Sequence, residues 1–100
     1  MTKEERYDEA VAVYENGDQD GACEKMSQLC LDFPDFSLPH IALSVWRFKK
    51  GEFEDSLAHA KKVAELEPED QFSYVALSIL AQRAGDHSTA EEALMKSRFM

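Results

Sequence analysis

The sequence predicts an all-α fold of three helix-turn-helix hairpins, and three observations carry that expectation. Gly17, Gly51 and Gly85 stand 34 residues apart, a period typical of helical repeats. Apolar residues recur at spacings of three and four on either side of those glycines, as on one face of a helix. No useful stretch alternates apolar and polar residues as a half-buried strand would. A shift of 34 also superposes Asn16-Gly17-Asp18, Lys50-Gly51-Glu52 and Ala84-Gly85-Asp86, then Ala22, Ser56 and Ala90, then Phe33-Pro34-Asp35 and Glu67-Pro68-Glu69. The units run over 3–36, 37–70 and 71–100, the last four residues short, inside a single domain of 1–100. One hundred residues suit one domain and exclude a two-lobed enzyme.

Each unit reads as helix, turn, helix, stop. In the first, Tyr7, Val11 and Tyr14 mark a leading helix that ends at Asn16-Gly17, and a second helix with Ala22, Cys23 and Cys30 stops before Pro34. In the second, Leu38, Ile41, Val45 and Phe48 precede Gly51; Phe53, Leu57, Ala60 and Ala64 follow and stop before Pro68. In the third, Phe72, Val75 and Ile79 lead to Gly85, with Ala90 beyond it. The turn glycine permits the left-handed backbone of a helix C-cap, and each proline disfavours helix in the residue before it. The small residues Ala22, Ser56 and Ala90 let the paired helices approach closely.

Composition narrows the function. The chain carries 20 acidic and 11 basic residues for a net charge of −9, which repels phosphate backbones and anionic lipid, so neither nucleic acid nor membrane is expected as a partner. At 44% hydrophobic residues it has material for a core. Its charged start and lack of a long apolar run predict a soluble, untargeted, cytoplasmic protein. Cys23 and Cys30, seven residues apart on one helix, sit roughly 10 Å from each other, beyond disulfide reach. Asn16, Asp18, Asp20 and Gly21 imitate a calcium loop but lack its leading carboxylate and twelfth-position Glu, where Ser27 stands, so they read as a turn and helix start. His40, His59 and His87 show no paired spacing, and the cysteines belong to another hairpin, so no metal or cofactor is expected. His59, among Lys61, Lys62 and Glu65, reads as a solvated side chain. Ser56, Ser88 and Ser97 lack a nucleophile-elbow setting, and no catalytic residue is expected.

At these positions the sequence resembles the tetratricopeptide repeat family. Leu43-Ser44, Gly51-Glu52-Phe53, Ser56-Leu57 and Pro68 fit its pattern in the middle unit, as do Leu77-Ser78, Gly85-Asp86 and Ala90 in the third. The likeness covers nearly the whole chain. Departures are local: Arg6 and His40 stand where the family often has Trp, Arg47 replaces an aromatic, and Gln19 and His87 replace the aromatic after the turn glycine. The resemblance implies a right-handed α-α superhelix whose concave side is lined by the first helix of each unit and which binds peptides or proteins. Family members that clamp acidic chaperone tails use Lys, Asn and Arg on that surface. Tyr7, Val11, Ala42, Phe72 and Ala76 hold the matching places here, so apolar recognition is favoured.

On that geometry the concave stripe is Glu4, Tyr7, Val11, Tyr14, then Leu38, Ile41, Val45, Phe48, then Phe72, Val75, Ile79, Gln82, of which ten are apolar. The middle leading helix has a second apolar stripe at Ala42, Leu43 and Trp46, and two faces require two neighbours. Either the ten residues form a groove for an amphipathic helix or apolar peptide, or some are buried between consecutive leading helices. Ten partly open side chains make a patch of about 500 Å², worth roughly 12 kcal/mol gross against association costs of about 4 to 15 kcal/mol. Charge adds direction. Ten acidic against three basic residues fall in the first unit, seven against five in the second and three against three in the third. Asp8 and Glu15 flank the stripe at one end; Lys49 and Arg83 flank it further on. A different reading is homo-oligomerisation through the same face or through Leu94, Met95, Phe99 and Met100 at the uncapped end.

Overall fold

A computed structural model describes residues 1–100 and consists of six α-helices without a strand. They are α1 (Lys3–Glu15), α2 (Gln19–Asp32), α3 (Ser37–Lys49), α4 (Phe53–Leu66), α5 (Gln71–Arg83) and α6 (His87–Arg98). α1 pairs with α2, α3 with α4 and α5 with α6, while α2 against α3 and α4 against α5 join successive hairpins into a body of 39 × 26 × 19 Å. The fold is a helical repeat.

The glycine period has one local cause, repeated three times. Gly17, Gly51 and Gly85 have φ of 99°, 80° and 81°, the left-handed region that a side chain disfavours. Each lets the chain turn back so that two amides reach carbonyls of the helix just ended: Gly17 N to Tyr14 O and Asp18 N to Val13 O, Gly51 N to Phe48 O and Glu52 N to Arg47 O, Gly85 N to Gln82 O and Asp86 N to Ala81 O. This is the Schellman arrangement, which satisfies otherwise orphaned carbonyls. The residue after each glycine stands at the N-cap of the next helix, and in the first and third turns its side chain caps it. Asp18 accepts from Gly21 N at 2.9 Å, and Asp86 accepts from Thr89 N at 3.2 Å and from the Thr89 hydroxyl at 2.6 Å. Asp20 pairs with Lys50 at 2.7 Å, so the acidic residues that imitate a calcium loop are engaged as a cap and an ion pair.

Ala22, Ser56 and Ala90 are buried where the helices of each hairpin cross. Ser56 also donates its hydroxyl to the Ser44 carbonyl at 2.6 Å, tying α4 to α3 inside the protein. Two apolar cores result. The first gathers Ala10, Ala22, Cys23, Met26 and Leu29 with Ala42, Leu43 and Trp46 of α3; the second gathers Leu57, Ala60 and Ala64 of α4 with Tyr74, Leu77, Ala81, Ala90 and Ala93. The middle hairpin is thus divided, one helix to each core. Trp46 lies flat on Tyr14 with ring centroids 4.2 Å apart, which locks α3 onto α1.

Candidate functional site

α3 has two apolar stripes and buries only one. Leu43 is fully buried, whereas Leu38, Ile41 and Val45 on the other side remain 42%, 41% and 46% exposed. α5 repeats the pattern with Val75, Phe72 and Ile79 exposed. Between the two stripes lies a cavity of about 410 Å³, lined from α3 by Ile41, Val45 and Phe48, from α4 by Ala60 and Val63, and from α5 by Phe72, Ala76, Ile79 and Leu80. That size suits a small number of apolar side chains. Its few polar groups are already bonded. The Ser44 hydroxyl donates to Ile41 O, the Ser73 hydroxyl to the Asp70 carboxylate, and Asp70 also accepts from Phe72 N. No lining residue is basic, so nothing in the hollow is built to hold a carboxylate.

Of the ten residues singled out from sequence, Ile41, Val45, Phe48, Phe72 and Ile79 line this hollow, and Leu38 and Val75 stand exposed on the same helices. Tyr7, Val11 and Tyr14 are half-buried and packed against the first core, Tyr7 edge-on to Phe36 and Tyr14 on Trp46. The floor supplied by Ala60 and Val63 escaped the sequence reading, because those residues belong to a second helix and carry the signal of ordinary core. Ala76 and Leu80 sit beside the chosen stripe of α5, out of its phase.

The histidines require a correction. His40 and His59 are not scattered, and Cys30 is not remote from them. Cys30 Sγ on α2 lies 3.6 Å from His40 Nδ1 on α3, which lies 3.0 Å from His59 Nδ1 on α4. Spacings of 10 and 19 residues hide this meeting, which arises where α2 packs on α3 and α3 pairs with α4. His59 is half-buried and not solvated, and His40 is buried with its Nε2 lacking any partner. Burial lowers both imidazoles below the ordinary histidine range, helped by Lys62 at His40 and by His40 and Arg47 at His59, with Asp55 opposing. Burial also pushes the Cys30 thiol up to about 11. Both cysteines are free thiols.

No protein-family model matches the sequence, and no curated protein resembles it closely enough to count as a relative. Among solved structures, the fold is similar to that of a chain in the CopN-Scc3 complex, with a TM-score of 0.83 and 20% sequence identity. The alignment covers 95% of this chain and 56% of that one, so this chain spans little more than half the length of its structural neighbour. At that identity the likeness shows the helical-repeat fold. No helix is long and apolar enough to cross a membrane.

Proposed function

We propose that this chain is a non-enzymatic protein-binding module of the tetratricopeptide type, and that the hollow between α3 and α5 receives the apolar face of an amphipathic helix from a partner protein. The carrying observation is the exposure of Ile41, Val45, Phe72 and Ile79 around a hollow whose polar groups are already satisfied. Exposed apolar side chains lining a hollow mark an interaction site in a soluble protein, and helix-in-groove recognition reads such anchors at i, i+3 or i+4, and i+7. The structural neighbour belongs to a protein complex, which agrees with this reading. The acidic first hairpin favours a partner segment with basic residues at one end. Cytoplasmic residence fits two unpaired thiols.

The test uses defined peptides. Random segments of about 15 residues, roughly 22 Å as a helix, are displayed, selected on the wild-type chain and counter-selected on Val45→Glu. Enriched peptides should carry helically spaced apolar anchors and bind Val45→Glu and Ile79→Glu at least about tenfold more weakly, with helical circular dichroism unchanged. Equal binding to all three proteins, or no enrichment, would remove the proposal. Homo-oligomerisation is favoured separately by the exposure of Met95 and Phe99, and sedimentation over a concentration series tests it directly: a monomer at micromolar concentration excludes it.

A further inference from the structure

We propose that Cys30, His40 and His59 form a zinc-binding site that staples the first repeat to the second. The donors come from α2, α3 and α4, and all three lie within 4.8 Å of one another. Zinc takes thiolate at about 2.3 Å and imidazole at about 2.0 to 2.1 Å in a tetrahedron, which sets S···N edges at about 3.6 Å and N···N edges at about 3.4 Å. The Cys30 to His40 separation of 3.6 Å meets the first, the His40 to His59 separation of 3.0 Å needs a small opening to meet the second, and the Cys30 to His59 edge, within 4.8 Å, is brought to length by side-chain rotation on binding. Two imidazoles and a thiol suit zinc and do not suit calcium or magnesium, which take oxygen. With three protein ligands, the fourth position falls to water.

Hydrogen bonding gives this cluster no adequate reason to exist. A neutral imidazole carries one proton. His40 Nδ1 faces two partners, Cys30 Sγ and His59 Nδ1, and if it donates to one of them Nε2 becomes a buried acceptor with nothing to accept. With the proton on Nε2, that atom becomes a buried donor with nothing to donate to. Either tautomer leaves Nε2 unsatisfied, and zinc does not change that; what the metal resolves is the convergence of His40 Nδ1, His59 Nδ1 and the Cys30 sulfur, three lone-pair atoms that hydrogen bonds alone cannot all pair. Zinc uses both Nδ1 lone pairs and the sulfur at once. The balanced step is Zn²⁺ plus the thiol and two neutral imidazoles giving the thiolate complex and one proton released to solvent; each imidazole keeps its proton on Nε2.

His40 Nε2 has no carboxylate or carbonyl behind it, and missing outer partners typically weaken a metal site about 10- to 100-fold. Lys62 and Arg47 add opposing charge, partly offset by Asp55. The expected affinity is therefore micromolar, that of an adjustable staple between repeats. The site is separate from the groove, so either proposal can fail alone.

The experiment is titration of the reduced, metal-stripped full chain with Co²⁺ and then Zn²⁺. Expected are a 1:1 thiolate-to-cobalt absorption band, its loss on adding Zn²⁺, and a Zn²⁺-dependent rise in Tm of at least about 5 °C at saturating metal. Cys30→Ser should abolish the band and His59→Ala should weaken binding at least about tenfold, while His87→Ala leaves both unchanged. In the wild type, Zn²⁺ should move the side-chain NMR resonances of His40 and His59 and spare His87, a readout that requires no variant to fold. Absence of saturable binding below millimolar metal, or binding that survives both Cys30→Ser and His59→Ala, or resonances that move only at His87, would overturn the site.

Discussion

Leu43 and Val45 are two residues apart on one helix, and the structure gives them opposite fates. Leu43 is fully buried in the first core, while Val45 is 46% exposed on the groove. Truncating Leu43 to Ala removes buried methylene and methyl groups and leaves a cavity, at a cost of about 2 to 5 kcal/mol. Val45→Ala deletes two methyl groups, about 1.6 kcal/mol if wholly buried, about half that at its actual exposure. The better helix propensity of Ala returns a few tenths, leaving roughly 0.5 kcal/mol. A domain of this size has about 5 to 15 kcal/mol in total, and 1 kcal/mol moves Tm by about 4 to 8 °C. Leu43→Ala should therefore lower Tm by about 8 to 40 °C and Val45→Ala by less than about 5 °C. Thermal melts followed by circular dichroism, with urea titrations to check that the m-value is unchanged, measure both. If Val45→Ala proves as damaging as Leu43→Ala, its stripe is sealed inside the protein and no groove exists.

Other expectations follow from the turns and the buried imidazoles. A Cβ on Gly51 would meet nothing within 4 Å, so Gly51→Ala should cost only the left-handed backbone penalty, about 1 to 2 kcal/mol, and Gly51→Asn less; equal costs would contradict that cause. Asp86→Ala should lower stability by about 1 kcal/mol through loss of its two bonds to Thr89, measured as a shift in urea midpoint, whereas Glu52→Ala, at the equivalent place without a side-chain cap bond, should cost less. In metal-free protein, His40 and His59 titrate below the unfolded value of 6.5 because burial disfavours their charged forms, helped by Lys62 at His40 and by His40 and Arg47 at His59, with Asp55 opposing at His59; the Cys30 thiol also faces His40. The unfolded chain then binds more protons, so stability is complete above about pH 6.5 and falls as pH drops through it. Asp20, Asp32 and Asp86, all lowered by hydrogen bonds, add further loss only below their ordinary value of 3.8. A urea midpoint that stays flat between about pH 8 and pH 5 would show that the imidazoles carry no such linkage.

The fold was legible because its causes are local. Each turn glycine has a positive φ that only glycine adopts freely, so the geometry writes itself into the sequence every 34 residues. The two stripes of α3 were readable for a similar reason, since helical phase places Leu43 and Val45 on different sides without knowledge of neighbours. What sequence could not supply was the contact of one hairpin with the next. Tyr14 is the counterpart of Phe48 in the preceding unit, yet it lies against Trp46 because a following hairpin covers it. The same step brings Cys30 to His40, and the pairing within the middle hairpin adds His59; no spacing along the chain encodes that meeting.

The division of the middle hairpin between two cores sets how the protein comes apart. α3 looks back to α1 and α2 while α4 looks forward to α5 and α6, so residues 37–66 excised alone would keep the contact of α3 with α4 but lose both apolar cores. The outer hairpins share no core with each other, and each is anchored from one side only. Melting should accordingly begin at the extremities and travel inward, with the backbone amides beside the Ser56 hydroxyl bond to the Ser44 carbonyl among the last to exchange with solvent.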